Sequence, residues 1–484
     1  MRPELPPLLA DWSLRQDVLA ALGAANADNN AGAGDIHQAL SVALFVTAMA
    51  CGVVSVALVW RRRARLGAHD GRVVLAVTAA LLTLGLLSPP RWSSDAFLFA
   101  YYGKIVAVHG ANPYALPGRA FARSCALPAL PHRAATPGRP CADDSHCPPP
   151  SRCLVDPFVP YQSWLEVRAA YGPLALGTFA ALYIEALPPE ANVWLLRLMA
   201  ALAFFALVAL ITRRYGVLAG AAIGWLPLGA VVSANGGHLE VYVGLLLAAL
   251  IGAVCDPAPN VPPARTDEKA WWLAVLVVGL CAGAIAALKL HLGLLALPAL
   301  VVVARRAGVG KAVSAALTAA VVVAIGYGFA WTSPHPFGGL ADVADVSIRT
   351  PLDLVRRGAH ALGQSGDLGL ARPVFAAFWL VIVAVVLARL WRALDDDGRD
   401  DHHATLIATL QVWLATTLLA SGIFHPWYAL PGLVLLAMAL RRDTATAVLG
   451  PTQRATLWLA VSAPVVVNGA WLALGPASFA TPAV

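Results

Sequence analysis

Four short stretches carry side chains able to do chemistry. The first is Arg91-Trp-Ser-Ser-Asp95-Ala-Phe-Leu-Phe-Ala-Tyr101-Tyr102-Gly103-Lys104, with Asp95 some six residues past an apolar run. A carboxylate at the edge of an apolar segment meets both hydrocarbon and water, where it is suited to take a proton from a hydroxyl. Equally, Ser94 or Asp95 can simply N-cap a helix over 96–108, with Tyr101 and Tyr102 as interfacial aromatics. The second is Asn235-Gly236-Gly237-His238-Leu239-Glu240. On a straight helix His238 and Glu240 stand about 200° apart, so they converge only if the turn is non-helical, which Gly236-Gly237 permits. There they hold a divalent cation together with Asp95, orient a substrate, or satisfy the backbone of a polar turn. The third is Lys289, flanked by Ala-Ala-Leu and Leu-His, where an ammonium is costly in hydrocarbon unless it snorkels to headgroups or meets an anion. The fourth is His425-Pro426-Trp427-Tyr428, read as interfacial anchors or as the lining of a groove. Lys289, Arg349, Arg356 and Arg357 are the candidate cations for an anionic group, Lys as a point charge and Arg through two parallel bonds.

The elements that must position these residues are apolar. Of 484 residues 59% are hydrophobic and 13% charged, about half the charge of an ordinary soluble domain, and the mean hydropathy is +0.69. Soluble single-domain, disordered and fibrous classes are excluded. The expectation is an all-α polytopic integral membrane protein of about 12–13 transmembrane helices with a large Cys/Pro-containing outer loop. The net charge of +7 is gathered in Arg61-Arg62-Arg63, Arg213-Arg214, Arg305-Arg306 and Arg441-Arg442, which mark cytoplasmic loops; no basic face with interleaved aromatics calls for nucleic acid.

Apolar stretches lie at about 37–60, 72–89, 171–187, 191–212, 216–233, 238–254, 271–288, 290–304, 312–331, 372–391, 404–423, 427–440 and 455–474. The run 271–304 is too long for one crossing and is split near Lys289. With the basic runs inside, loop 90–170, the turn 235–238, loop 332–371 and the segment 425–428 fall on the outer face. That placement demands an odd number of crossings between loop 90–170 and Arg213, so either 171–187 or 191–212 does not span. Residues 1–36 read as a non-cytoplasmic segment, their acidic residues breaking any signal-peptide core. Residues 37–474 read as the membrane domain and 475–484 as a tail. The acidic run Asp395–Asp397 with Asp400 and Asp401 reads as a solvated cytoplasmic loop.

Cys51, Cys255 and Cys281 lie in or beside apolar segments and read as small buried hydrophobes. Cys125, Cys141, Cys147 and Cys153 sit together in a Pro-rich insertion, 125–153, within loop 90–170. An even number outside the cytoplasm points to two disulfides stapling a segment without a core, with connectivity open. A zinc site using His146 fits less well, because the spacing departs from a short knuckle.

In order along the chain, Asp95 with Tyr101-Tyr102, then His109-Gly110-Ala-Asn112-Pro113-Tyr114, Tyr171-Gly172-Pro173-Leu174, Asn235 to Glu240, Lys289 with Pro298, and Phe424-His425-Pro426-Trp427-Tyr428 resemble the motif series of the C-type (GT-C) glycosyltransferases that use polyprenyl-phosphate sugars. The nearest subgroup is the prenyl-phosphomannose-dependent α-mannopyranosyltransferases. Leu239, where that turn often carries a polar residue, the cysteine insertion and an extra preceding helix depart from the pattern. The resemblance implies a hexosyltransferase of the cell membrane with its active face outside the cytoplasm. A hexose, mannose by the resemblance, would pass from a polyprenyl-monophosphate donor to a lipid-linked or cell-envelope glycan acceptor. Asp95 would be the catalytic base. Substrate would meet Tyr101, Tyr102, Asn112, Tyr114, Tyr171, Asn235, His238, Glu240, Lys289, Arg349, Arg356, His425, Trp427 and Tyr428. No Asp-x-Asp pair stands outside, so no metal site is expected, while a divalent cation (Mg or Mn) stays open as a cofactor. The partners implied are donor, acceptor and membrane lipids, and no nucleic acid. The alternatives are a lipid-linked-glycan flippase or transporter, which should place its ionisable groups near mid-membrane, and a ligase or polymerase with a diphosphate-linked donor.

Overall fold

A computed structural model describes residues 47, 49–62, 65–88, 90, 95–127, 130–134, 141, 144–149, 151–159, 164–255, 268–328, 339, 342, 352, 355, 359, 371–394, 401–420 and 426–440. The chain divides into two compact units, 1–54 and 55–484, and the described chemistry-bearing residues belong to the second. Its longer helices are α1 (Ala68–Leu87), α2 (Asp95–Ala107), α3 (Pro173–Leu182), α4 (Pro189–Tyr215), α5 (Val217–Gly224) and α6 (Glu240–Cys255). They continue as α7 (Glu268–Leu288), α8 (Leu297–Ala307), α9 (Val309–Gly328), α10 (Ala371–Ala393), α11 (Asp401–Ala415) and α12 (Ala429–Ala439).

Local chemistry sets the ends of these helices. At the start of α1 the Gly67 N–H donates to Asp70 Oδ2 at 2.7 Å. Proline opens α3 and α4 at a position where no amide donor is needed. Gly216 and Gly308, both at φ 100°, stop α4 and α8 in a conformation other residues avoid.

Six helices are long and apolar enough to cross a membrane: His69–Leu87, Pro189–Tyr215, Glu268–Leu288, Leu290–Ala307, Val309–Gly328 and Ala371–Ala393. A seventh span arises if the pair Val217–Gly224 and Pro227–Asn235, bent by 60°, counts as one. The chain is an all-α polytopic membrane protein. Among the described residues the spans number six or seven rather than 12–13, because apolarity alone does not fix length. Segments 171–187, 238–254 and 427–440 fold as helices of 10, 16 and 11 residues, short of the ~20 a crossing needs. Of the expected span near 37–60 the described part is a short apolar helix, Met49–Arg61, and the expected span near 455–474 lies outside the described residues.

Length also decides between 171–187 and 191–212. The helix in the first rises only about 15 Å and α4 about 40 Å, so of the two only α4 is long enough to cross. The split near Lys289 is present. α7 ends at Leu288, Lys289 is extended (φ −147°, ψ 107°), and a 3₁₀ turn Leu290–Ala296 leads into α8.

α4 and α6 form the middle of the bundle, burying Leu196, Ala200, Phe204, Leu207, Val243, Leu247 and Leu250. α9 and α10 expose Val313, Leu317, Val321, Ile325, Phe378 and Val381, apolar surface of the kind lipid covers in a membrane protein. The described basic pairs Arg213-Arg214 and Arg305-Arg306 gather at one end of the bundle. There Arg306 pairs with Asp401 at 2.6 Å, Arg305 lies over Trp391, and Tyr215 stacks on His402 at 5.5 Å.

The insertion is a small antiparallel sheet ordered β2-β1-β3, from Arg123–Leu127 (β1), Leu130–Ala134 (β2) and Arg152–Val155 (β3). Cys125 stands opposite Cys153 in the register, yet the disulfides run Cys125–Cys147 and Cys141–Cys153. The expected two bridges are present and their connectivity is now defined. Just after β3, Asp156 meets Lys104 of α2 at 2.5 Å, both side chains fully buried. This ion pair anchors the insertion to the helix that begins with Asp95.

Candidate functional site

Asp95, His238, Glu240, Lys289, Tyr171, Trp427 and Tyr428 come from six segments and meet in one cluster. Asp95 is the first residue of α2, and its Oδ2 lies 3.6 Å from His238 Nδ1. That separation is just beyond ordinary hydrogen-bond length. The His238 ring stacks on Trp427 (centroids 4.0 Å apart, planes 16° apart) and meets the edge of Phe99 at 6.3 Å. Glu240 Oε1 pairs with Lys289 Nζ at 2.5 Å. The ammonium sits 4.4 Å from the centre of the Tyr428 ring and 5.7 Å from that of Tyr171, a cation–π arrangement. Tyr171 in turn packs edge-on against Phe99 at 5.1 Å.

Broken helices make this convergence possible. Residues Val231–Asn235 form a π-helical turn, a wide turn frequent at functional sites. It is closed by the Gly236, Gly237 and His238 amides donating to the carbonyls of Val231, Ser233 and Val232. Gly237 at φ 65° completes the reversal, so α6 begins afresh at Glu240. His238 thus reaches Asp95 while Glu240 turns to Lys289. The non-helical turn that the Gly-Gly pair permits is what forms, but the two side chains serve different partners. Lys289 leaves the bundle's regular geometry at the break between α7 and the 3₁₀ turn. Beside it the Gly172 amide donates to Leu288 O at 2.8 Å, and a Cβ on Gly172 would come within 2.1 Å of Ala287 O. Only glycine allows Tyr171 this close to Lys289.

The two carboxylates have different environments. The Asp95 side chain is 15% exposed and that of Glu240 1%, so Asp95 is the one a ligand can approach. Burial, reinforced by the Asp95 charge, holds the Tyr171 phenol well above its ordinary range. Tyr171 is therefore a neutral hydrogen-bonding group. A cavity with room for about one water lies alongside, walled by Glu240, His291, Trp413, Thr417 and Tyr428. Glu240 Oε2 is buried without a hydrogen-bond partner among the described residues, and a water there would satisfy it.

Other expected site residues have holding roles. The Tyr101 hydroxyl donates to Gly118 O at 2.9 Å and that of Tyr102 to Val167 O at 3.4 Å. Both rings are buried rather than placed in an aromatic belt. Asn112 Oδ1 accepts the Tyr114 amide, and the Tyr114 hydroxyl donates to Tyr171 O at 2.8 Å, steadying the site from behind. Asn235 is buried within the π turn. Arg349, Arg356, Arg357 and His425 lie outside the described residues.

Asp95, His238 and Glu240 do not bring three ligand atoms together. Among the described residues the group that does is Cys125, Cys141 and Cys147, whose sulfurs are taken by disulfides. Arg197 and the pairs Lys104–Asp156 and Arg168–Asp342 were not anticipated from sequence. Arg197 alone had a visible signal, a cation inside a long apolar run.

The chain matches no family model, no curated protein and no solved structure.

Proposed function

We propose that the protein is an integral-membrane hexosyltransferase. It moves a hexose, mannose by resemblance, from a polyprenyl-monophosphate carrier to a lipid-linked or cell-envelope glycan on the non-cytoplasmic face of the cell membrane. The observation that carries the reading is the Asp95–His238 contact beside the Glu240–Lys289 pair, at the end of the bundle away from the basic runs. The motif series of the GT-C glycosyltransferases runs through these same residues.

In this reading Asp95 takes the proton of the acceptor hydroxyl as that oxygen attacks the anomeric carbon. The new bond forms as the bond from that carbon to the phosphate oxygen breaks, and polyprenyl phosphate leaves with the electron pair. His238 stands beside the Asp95 carboxylate and orients it. Trp427 holds the imidazole plane by stacking. Lys289 is the nearest described ammonium to the growing phosphate charge, its position fixed by Glu240. One base and no protein nucleophile is the arrangement of an inverting transfer.

The decisive experiment offers radiolabelled polyprenyl-phosphomannose and a short mannoside to detergent-purified protein, with Asp95→Asn alongside. The reading requires product from wild type and a loss of at least about a hundredfold in a folded Asp95→Asn. Full activity in that variant would remove Asp95 as base. Transport of the lipid-sugar without a glycosidic product would replace the enzyme with a carrier.

A further inference from the structure

Arg197 lies eight residues into α4, in a 27-residue apolar helix, and is 2% exposed. A guanidinium buried in such a helix is costly unless its donors are met. Here backbone carbonyls meet Nε and Nη2. Nε donates to Ala234 O at 2.8 Å, and Nη2 donates to Gly85 O at 2.6 Å, Leu86 O at 3.1 Å and Ser88 O at 2.6 Å. No described carboxylate pairs with it.

These acceptors belong to two elements. Gly85, Leu86 and Ser88 are the carbonyl-rich end of α1, where a cation also meets the negative end of the helix dipole. Only six residues separate Ser88 from Asp95. Ala234 is in the π turn, four residues before His238. Gly237 packs directly on the same side chain: a Cβ there would lie 3.5 Å from Arg197 Cγ and 3.8 Å from the Cβ of Ala96, next to Asp95. One guanidinium thus grips the backbones leading into both partners of the 3.6 Å contact.

We infer that Arg197 is a positioning residue that sets the Asp95–His238 separation by clamping the end of α1 to the π turn. Its catalytic consequence rests on the reading of Asp95 as base; the clamp itself does not. A substitution there leaves Lys289, at the break after α7, untouched, so turnover falls more than donor binding.

The test compares full-length wild type, Arg197→Gln and Arg197→Lys in detergent, by hydrogen–deuterium exchange, thermal unfolding and steady-state kinetics. Expected for Arg197→Gln is faster exchange in 84–96 and 231–240 together, with the rest of the bundle unchanged. Turnover should fall about a hundredfold, the cost of a misplacement near 1 Å, with donor KM within about twofold. Lysine keeps the charge but not the fork, and should recover part of both. If Arg197→Gln fails to fold, Arg197→Lys carries the same comparison. Exchange that rises across the whole bundle, or stays at wild-type level in either segment, overturns the clamp. Unchanged turnover with both segments loosened overturns its role in positioning. Wild-type protein inactive on this donor would count against the proposed function alone, because the exchange comparison still decides the clamp.

Discussion

Lys289 and Glu240 show how a residue's environment rather than its type sets its role. Lys289 reads from sequence as a cation waiting for an anion, but Glu240 already meets it at 2.5 Å with both side chains nearly inaccessible. Removing one partner of a buried pair strands the other charge and costs about 3–5 kcal/mol, whereas replacing both by apolar groups is often neutral. Glu240→Leu should therefore destabilise the protein by about that amount, and Glu240→Leu with Lys289→Met should recover most of it. Unfolding of the single and double variants in detergent reads this directly. A double variant no more stable than the single one would mean that the pair is not the unit of stability. Activity should be lost in both, since the single variant no longer fixes the ammonium and the double variant lacks it.

At the scale of elements, the insertion couples to the site through α2. The Lys104–Asp156 pair joins the strand after Cys153 to the helix that begins with Asp95. The bridges close loops with sequence separations of 22 and 12 residues, each worth about 3 kcal/mol by restricting the unfolded chain. Reduction should lower thermal stability measurably while the apolar bundle keeps its helical signal. His109 packs against Phe121 at 5.3 Å. Burial, helped by the Lys104 charge, pushes its pKa from 6.5 down to about 4. The unfolded chain then binds the extra proton between these values, so stability rises with pH across that window. Stability should be full above about 6.5 and fall as pH drops toward about 4, and His109→Gln should flatten this slope. A wild-type slope that persists in the variant would assign it elsewhere.

For the whole molecule, α7 and α4 run between the basic end and the site. Glu268 and Lys311 stand 3.9 Å apart at one end of α7, and Lys289 follows the other. With basic runs inside, the proposed topology puts the site outside. Cysteines introduced at the exposed Arg119 and Glu268, in a chain whose Cys51, Cys255 and Cys281 are serine, should label from opposite sides with an impermeant maleimide. Arg119→Cys should react in intact cells and Glu268→Cys only after permeabilisation. The reverse pattern would turn the protein over and move the proposed chemistry to the cytoplasmic face.

What the sequence determined by itself was the class of molecule and the kinds of side chain worth following. Long continuous apolar runs require a helical membrane protein, since only helices and closed barrels satisfy backbone amides in hydrocarbon and barrel strands alternate apolar with polar residues. The break at Lys289 was legible as a charge in an overlong run, and the turn at 235–238 as a Gly-Gly pair between helices. The crossing number was not legible, because helices of 10 to 16 residues are as apolar as true spans. Nor were the partnerships. Glu240 with Lys289, Asp95 with His238, His238 on Trp427 and the grip of Arg197 join residues far apart in sequence. They depend on where helices break and how closely glycines such as Gly172 let backbones approach. Those are packing outcomes, fixed only when the helices are assembled, so the tertiary structure alone decided which of the plausible polar residues meet.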